Sequence, residues 1–137
     1  MRPVFTFPLT FLLAACATTH PIDPTVASTS LADAQVVEVE LSNFDFTPST
    51  IRLDADKAYA LHIVNTASGG HDFTAPEFFA ASRVAPEDVA SVRDGQVELG
   101  GGQTATIHLV PSAGTFSLIC THTGHALLGM KGTIVVS

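Results

Sequence analysis

Residues 120–132 read Cys120-Thr121-His122-Thr123-Gly124-His125-Ala126-Leu127-Leu128-Gly129-Met130-Lys131-Gly132. The segment lies between two apolar runs, Phe116-Ser117-Leu118-Ile119 before it and Ile134-Val135-Val136 after it. It contains the pattern Cys-x4-His-x4-Met, formed by Cys120, His125 and Met130. A thiolate, an imidazole and a thioether on one short connection between strands can converge on one point. That donor set suits a soft ion, copper above all. Zinc would more commonly draw a second Cys or further His in place of the Met. A blue copper site needs Cys and two His in a plane with a weak axial Met, so one further His must come from elsewhere in the chain. His71 is the best candidate, because it follows Gly69-Gly70 at the end of a strand, where the backbone can bend a side chain into a site. Each residue also has a plainer reading: Cys120 as a core cysteine, Met130 as core packing, His71 as a loop histidine capping backbone. His122 is the competitor of His125 within the loop, expected near the metal and not on it. His62 and His108 alternate with Leu61, Ile63, Ile107 and Leu109 and are expected on the surface.

Outward from this loop the chain reads as short strands separated by Gly, Pro and polar turns. Val37, Val39 and Leu41 alternate with Glu38, Glu40 and Ser42, and the domain is expected to start near Gln35. Asn43-Phe44-Asp45-Phe46-Thr47-Pro48 turns the chain, and Ile51 and Leu53 resume it. Tyr59, Leu61 and Ile63 form a third alternating run ending near Asn65. Ala75 to Arg93 is irregular, with room for one or two helical turns at Pro76 and Pro86. Val97 and Leu99, then Ala105, Ile107 and Leu109, continue the strand pattern. Many short strands at this spacing indicate an all-β, antiparallel Greek-key sandwich with a short irregular or helical insertion.

Length and charge narrow the functional classes. At 137 residues the chain holds one domain, and 46% hydrophobic with 14% charged residues suits a packed core. Thirteen acidic against six basic side chains give a net charge of -7, which leaves no basic surface for nucleic acid. The start of the chain reads differently from the rest. Val4 to Ala15 is almost wholly apolar and too short for a stable transmembrane helix, and it ends in Leu13-Ala14-Ala15-Cys16. Residues 1–15 are therefore expected to be an export signal of bacterial lipoprotein type, with Cys16 acylated as the new first residue. Residues 16–34, rich in Thr, Ser, Ala and Pro, are expected to be a flexible tether with a reach of ~25 Å. His20 lies in that tether and has no assigned role. With Cys16 carrying lipid, Cys120 has no disulfide partner in the chain, and metal ligation is the commonest use of such a thiol.

Three motifs in order carry a resemblance to the cupredoxins, the family of plastocyanin and azurin. They are Asn43 to Pro48 followed by Ile51, Gly70-His71-Asp72-Phe73, and the Cys-to-Met loop ending in Gly129-Met130-Lys131-Gly132. The resemblance covers Gln35 to Ser137, and the loop length is similar to that of auracyanin and rusticyanin. It implies one type 1 copper ion held by His71, Cys120, His125 and Met130. Many members carry Asn where this chain has Asp72; the resemblance implies that Asp72 ties the two ligand loops together by accepting a hydrogen bond from Thr121. It further implies an electron carrier, not an enzyme; the export signal and Cys16 place its expected location on the periplasmic side of a bacterial membrane. The redox partner is expected at the face formed by His125, Leu127 and Leu128, with the lipid as the only membrane contact. The competing readings are a copper carrier or storage protein, and a copper enzyme. The enzyme lacks support, since the chain has no His-x-His pair and no His beside Cys120.

Overall fold

The computed structural model describes residue 31 and residues 33–137. The expected signal segment 1–15 and nearly all of the expected tether 16–34, Cys16 included, lie outside the described residues. Ten strands follow: β1 (Gln35–Ser42), β2 (Asp45–Thr47), β3 (Thr50–Leu53), β4 (Tyr59–Asn65), β5 (His71–Thr74), β6 (Ser82–Val84), β7 (Gln96–Leu99), β8 (Thr104–Pro111), β9 (Gly114–Ile119) and β10 (Lys131–Val136). One short helix, α1 (Pro76–Ala80), lies between β5 and β6, and one 3-10 turn, Val89–Ser91, precedes β7.

The strands form two five-stranded sheets, ordered β2-β1-β4-β8-β6 and β3-β10-β9-β5-β7. The expected sandwich is present, and most neighbours are antiparallel. Each sheet also carries one parallel pair, β1 with β4 and β3 with β10. The reason is that the chain crosses from one sheet to the other after β2 and returns for β4. The returning strand then lies beside β1 in the same direction, which no hairpin can achieve. Alternation places Val39, Leu41, Leu61, Ile63, Ile107 and Leu109 inside from one sheet and Ile51, Phe73, Leu118 and Ile134 from the other, all fully buried. The region 75–93 is more ordered than its pattern suggests. Pro76 opens α1, which buries Phe78 and Phe79, and Pro86 sits in the turn that leads to the 3-10 turn. β6 is an edge strand paired to β8, and three residues are too few to display a period.

The two sheets leave one end of the core to be closed by the connection from β9 to β10. Cys120 continues the inward alternation of Leu118, and Met130 immediately precedes β10. Both are fully buried in the same cluster as the aliphatic core. The Cys120 amide donates to the Met130 carbonyl at 3.2 Å, so the connection is pinched shut at its base.

Candidate metal centre

His71 begins β5, and does not lie in the loop that its Gly-Gly approach suggested. Pairing of His71 with Leu99 and of Asp72 with Glu98 fixes it in the sheet. The loop Thr66 to Gly70 that delivers it is organised by Asn65, the buried last residue of β4. Its side-chain amide donates to the carbonyls of Gly69 (2.9 Å), Leu99 (3.1 Å) and Gly100 (3.0 Å), and its oxygen accepts the Ala67 amide at 3.0 Å. One side chain thus ties the approach to His71 to the turn that follows β7.

The connection from β9 to β10 folds back as tight turns. The His125 amide donates to the His122 carbonyl at 3.0 Å, and the Met130 amide donates to the His125 carbonyl at 3.0 Å. Gly124 and Gly129 adopt left-handed backbone conformations (φ 84° and 109°), which spares the turns the penalty a side chain would incur. The result brings Cys120, His125 and His71 together. Cys120 Sγ lies 3.4 Å from His125 Nδ1 and 3.9 Å from His71 Nδ1, and the two Nδ1 atoms are 3.2 Å apart. A triangle of these edges lets one ion reach all three donors at ordinary metal–ligand distances of about 2.0–2.3 Å. His71 and Cys120 are fully buried and His125 is half-buried, and Met130 is buried at the base of the same loop.

The protonation states are tuned by burial. Burial holds the His71 imidazole below its ordinary range, assisted by the neighbouring His125 and His122, and so favours the neutral ring that a metal requires. Burial pushes the Cys120 thiol up; the backbone amides of Asp72 and His122, which donate to its sulfur, pull the other way. Loading a metal on that thiol must therefore displace a proton. A soft sulfur, two imidazole nitrogens and a nearby thioether in a dry pocket fit one type 1 copper ion.

The residues around the donors are equally ordered. Asp72 is fully buried and accepts the Thr121 amide at both oxygens (3.0 and 2.9 Å) and the Thr121 hydroxyl at 2.7 Å. The Thr74 hydroxyl adds a bond to Oδ1 at 2.6 Å. The expected tie is thus present, but it joins strand β5 to the Cys120–Met130 loop, with two Thr121 groups donating. His122 is outside the donor triangle. Its Nε2 meets Glu98 Oε1 at 2.9 Å, and its ring stacks on His125 with centroids 5.3 Å apart. Asp72, Glu98 and His122 are close enough to suggest a second cation site. Hydrogen bonds already occupy the Asp72 oxygens, so the group reads as a brace and not as a ligand set. The glycine at 70 makes this possible, since a Cβ there would lie 3.0 Å from His122 Cε1. His62 bonds Thr106 and His108 bonds Asp88, both on the outer face of their sheet. The residues that pattern reading did not single out are Asn65, Glu98 and Phe44. They act through tertiary proximity, and only the register of β5 with β7 makes Glu98 a neighbour of the site.

The comparisons with known proteins agree with this geometry. A family model described as cupredoxin-like domain matches residues 6–136. Auracyanin-B of Chloroflexus aurantiacus is 30% identical over 124 residues, an alignment that covers 76% of this chain and 53% of that protein. This chain therefore belongs to the cupredoxins, and it resembles the type 1 blue copper branch that contains the auracyanins. The chain spans about half the length of the curated relative it matches. A solved structure of auracyanin B superposes with a TM-score of 0.58 at 25% identity, covering 76% of this chain and 89% of that one. Dithionite-reduced auracyanin of Roseiflexus castenholzii gives 0.57 at 18% identity, covering 76% and 98%. A multi-copper oxidase of Pseudomonas thermotolerans gives 0.60 at 17% identity over 78% of this chain but 30% of that one, a likeness of fold alone.

Proposed function

We propose that this protein is an electron carrier that cycles one type 1 copper ion between Cu(I) and Cu(II), without catalysing a reaction of its own. The observation that carries the reading is the donor triangle of His71, Cys120 and His125, assembled within 3.2–3.9 Å by strands and loops already hydrogen-bonded in place. Copper held there supplies a one-electron couple. The chain supplies fixed ligands. His71 is locked in a sheet, Cys120 is pinned to Met130, and Asp72 ties β5 to the Cys120–Met130 loop through Thr121. Donors that do not move between oxidation states keep reorganisation small. The similarity to auracyanin B supports the same reading.

The alternative of a copper carrier or store fits less well. Such proteins favour open sites with exchangeable ligands, whereas here two of the three triangle donors are fully buried. The test is to load the protein with Cu(II) and record its visible and electron paramagnetic resonance spectra. The thiolate site is expected to give an intense blue band and a narrow copper hyperfine splitting, and Cys120→Ser is expected to abolish both. A blue Cys120→Ser protein, or a colourless loaded wild type, defeats the proposal.

The location is part of the same proposal: export, acylation at Cys16, and a copper domain held outside the inner membrane on the 16–34 tether. The Leu13-Ala14-Ala15-Cys16 sequence supports it. Mass spectrometry of the mature N-terminus is expected to find a diacylglyceryl-modified Cys16; a mature chain that starts elsewhere rules it out.

A further inference from the structure

His125 differs from the other two triangle donors in being half-exposed, so core packing does not hold its ring. Two rings outside the donor set do. His122 stacks on it at 5.3 Å and 27°, and is itself held by Glu98. On a second side Phe44 meets it edge-on, with centroids 5.2 Å apart and planes at 85°, a favoured geometry for aromatic pairs. Phe44 lies in the turn between β1 and β2, and its carbonyl lies 4.0 Å from where a Cβ would stand at Gly129 in the ligand loop. Its backbone is left-handed, φ 66°. Gly, Asn or Asp would adopt that conformation cheaply, while a bulky residue there is an outlier. Burial does not compensate, because Phe44 is 39% exposed. Strain of this kind gathers at functional sites, where the surroundings over-determine it.

We infer that Phe44 is a positioning residue for His125. The left-handed turn presents the phenyl ring against the half-exposed imidazole and fixes its orientation, at the expense of backbone strain in the turn. This rests on the copper reading above. A residue that only packs loses stability when truncated and changes nothing else. A strained brace behaves in the opposite way. Phe44→Gly relieves the left-handed backbone while freeing the ligand.

The experiment uses the copper-loaded full chain as wild type, Phe44→Gly, Phe44→Leu and Phe44→Tyr. Copper release from the reduced protein to excess bathocuproine disulfonate is timed, and the thermal midpoint of each apoprotein is measured. Phe44→Gly and Phe44→Leu are expected to release copper about 2- to 12-fold faster than wild type, the factor to which an aromatic pair's specific contribution converts. Phe44→Tyr, which keeps the ring, is expected to match wild type. The Phe44→Gly apoprotein is expected to melt no lower than wild type. Release at the wild-type rate from both Gly and Leu variants overturns the inference. So does a Phe44→Gly midpoint that falls as for a truncated core residue. If Phe44→Gly does not fold, equal release from the Leu and Tyr variants overturns it. A wild-type chain that binds copper without turning blue fails the copper reading itself and removes the inference with it. A blue wild type with indifferent variants fails the inference alone.

Discussion

At the residue scale the donors carry opposite pH liabilities in the apoprotein. The folded state holds His71 below its ordinary value of 6.5. Below pH 6.5 the unfolded chain therefore binds a proton that the folded chain refuses, and stability falls as the pH drops through that window. The folded state holds Cys120 above its ordinary value of 9.0. Above pH 9.0 the folded chain retains a proton that the unfolded chain has released, and stability falls again as the pH rises. The apoprotein is thus expected to be most stable between these limits, measured by urea midpoints across pH. Replacing His71 by Ala should flatten the acid limb, and Cys120→Ser should flatten the alkaline one. An acid limb of unchanged steepness in the His71 variant would show that other groups control it. Cys120, His125 and Met130 were legible in sequence because they share one loop at a telling spacing. His71 was legible only through its Gly-Gly approach and the family resemblance. Asn65, Glu98 and Phe44 were not, since nothing in a linear pattern shows that Phe44 meets the His125 ring, that Glu98 meets His122, or that Asn65 bonds the turn after β7.

Among the elements, the long alternating strands β1, β4 and β8 follow the sequence pattern almost residue by residue, because one face of each is buried and a slip of one residue would turn Val39, Leu61 or Ile107 outward. The short pieces β5, β6 and α1 depend on what they pack against. β5 buries His71, Asp72 and Phe73 consecutively, a pattern with no period to detect. β5 is also delivered by a loop with little structure of its own, so Asn65 has a disproportionate role. Asn65→Ala would leave the buried Leu99 carbonyl and the part-buried Gly69 and Gly100 carbonyls short of a donor. The expected cost is about 1–3 kcal/mol, read as a lower thermal midpoint, together with weaker copper retention as His71 loses its fixed approach. Asn65→Asp, which keeps the acceptor for Ala67 but not the donors, should be nearly as harmful. A variant that melts within about 0.5 kcal/mol of wild type, the range of ordinary surface changes, would place the control of this loop elsewhere.

For the whole molecule, the proposed electron-carrier role raises the question of where an electron would leave. The donor triangle is buried on the sheet side, and His125 is the one triangle donor that approaches the surface. Around it the loop exposes apolar side chains: Leu127 is 90% exposed and Leu128 64% exposed, with Phe44 beside the His125 ring. These leucines do not close the core, which Cys120 and Met130 already cap. An exposed apolar group on an acidic protein is a feature that folding alone would not favour, and because such patches on soluble proteins often serve as contact surfaces, we propose that a redox partner docks here. Apolar contact would exclude water between His125 and a partner without the orientational demands of paired charges. On the same proposal, the net negative charge would favour basic or neutral partners. Leu128→Lys should therefore leave folding and the blue spectrum intact, since the side chain has few contacts to lose. It should slow electron self-exchange between two copies on the order of tenfold, equivalent to about 1.4 kcal/mol of encounter free energy. Leu127→Lys should act in the same direction. A control at the opposite end of the sandwich, in the exposed turn between β8 and β9, such as Ser112→Lys, changes the net charge equally and should have little effect. If Leu127→Lys and Leu128→Lys both exchange electrons as fast as that control, the electron does not leave through the His125 face.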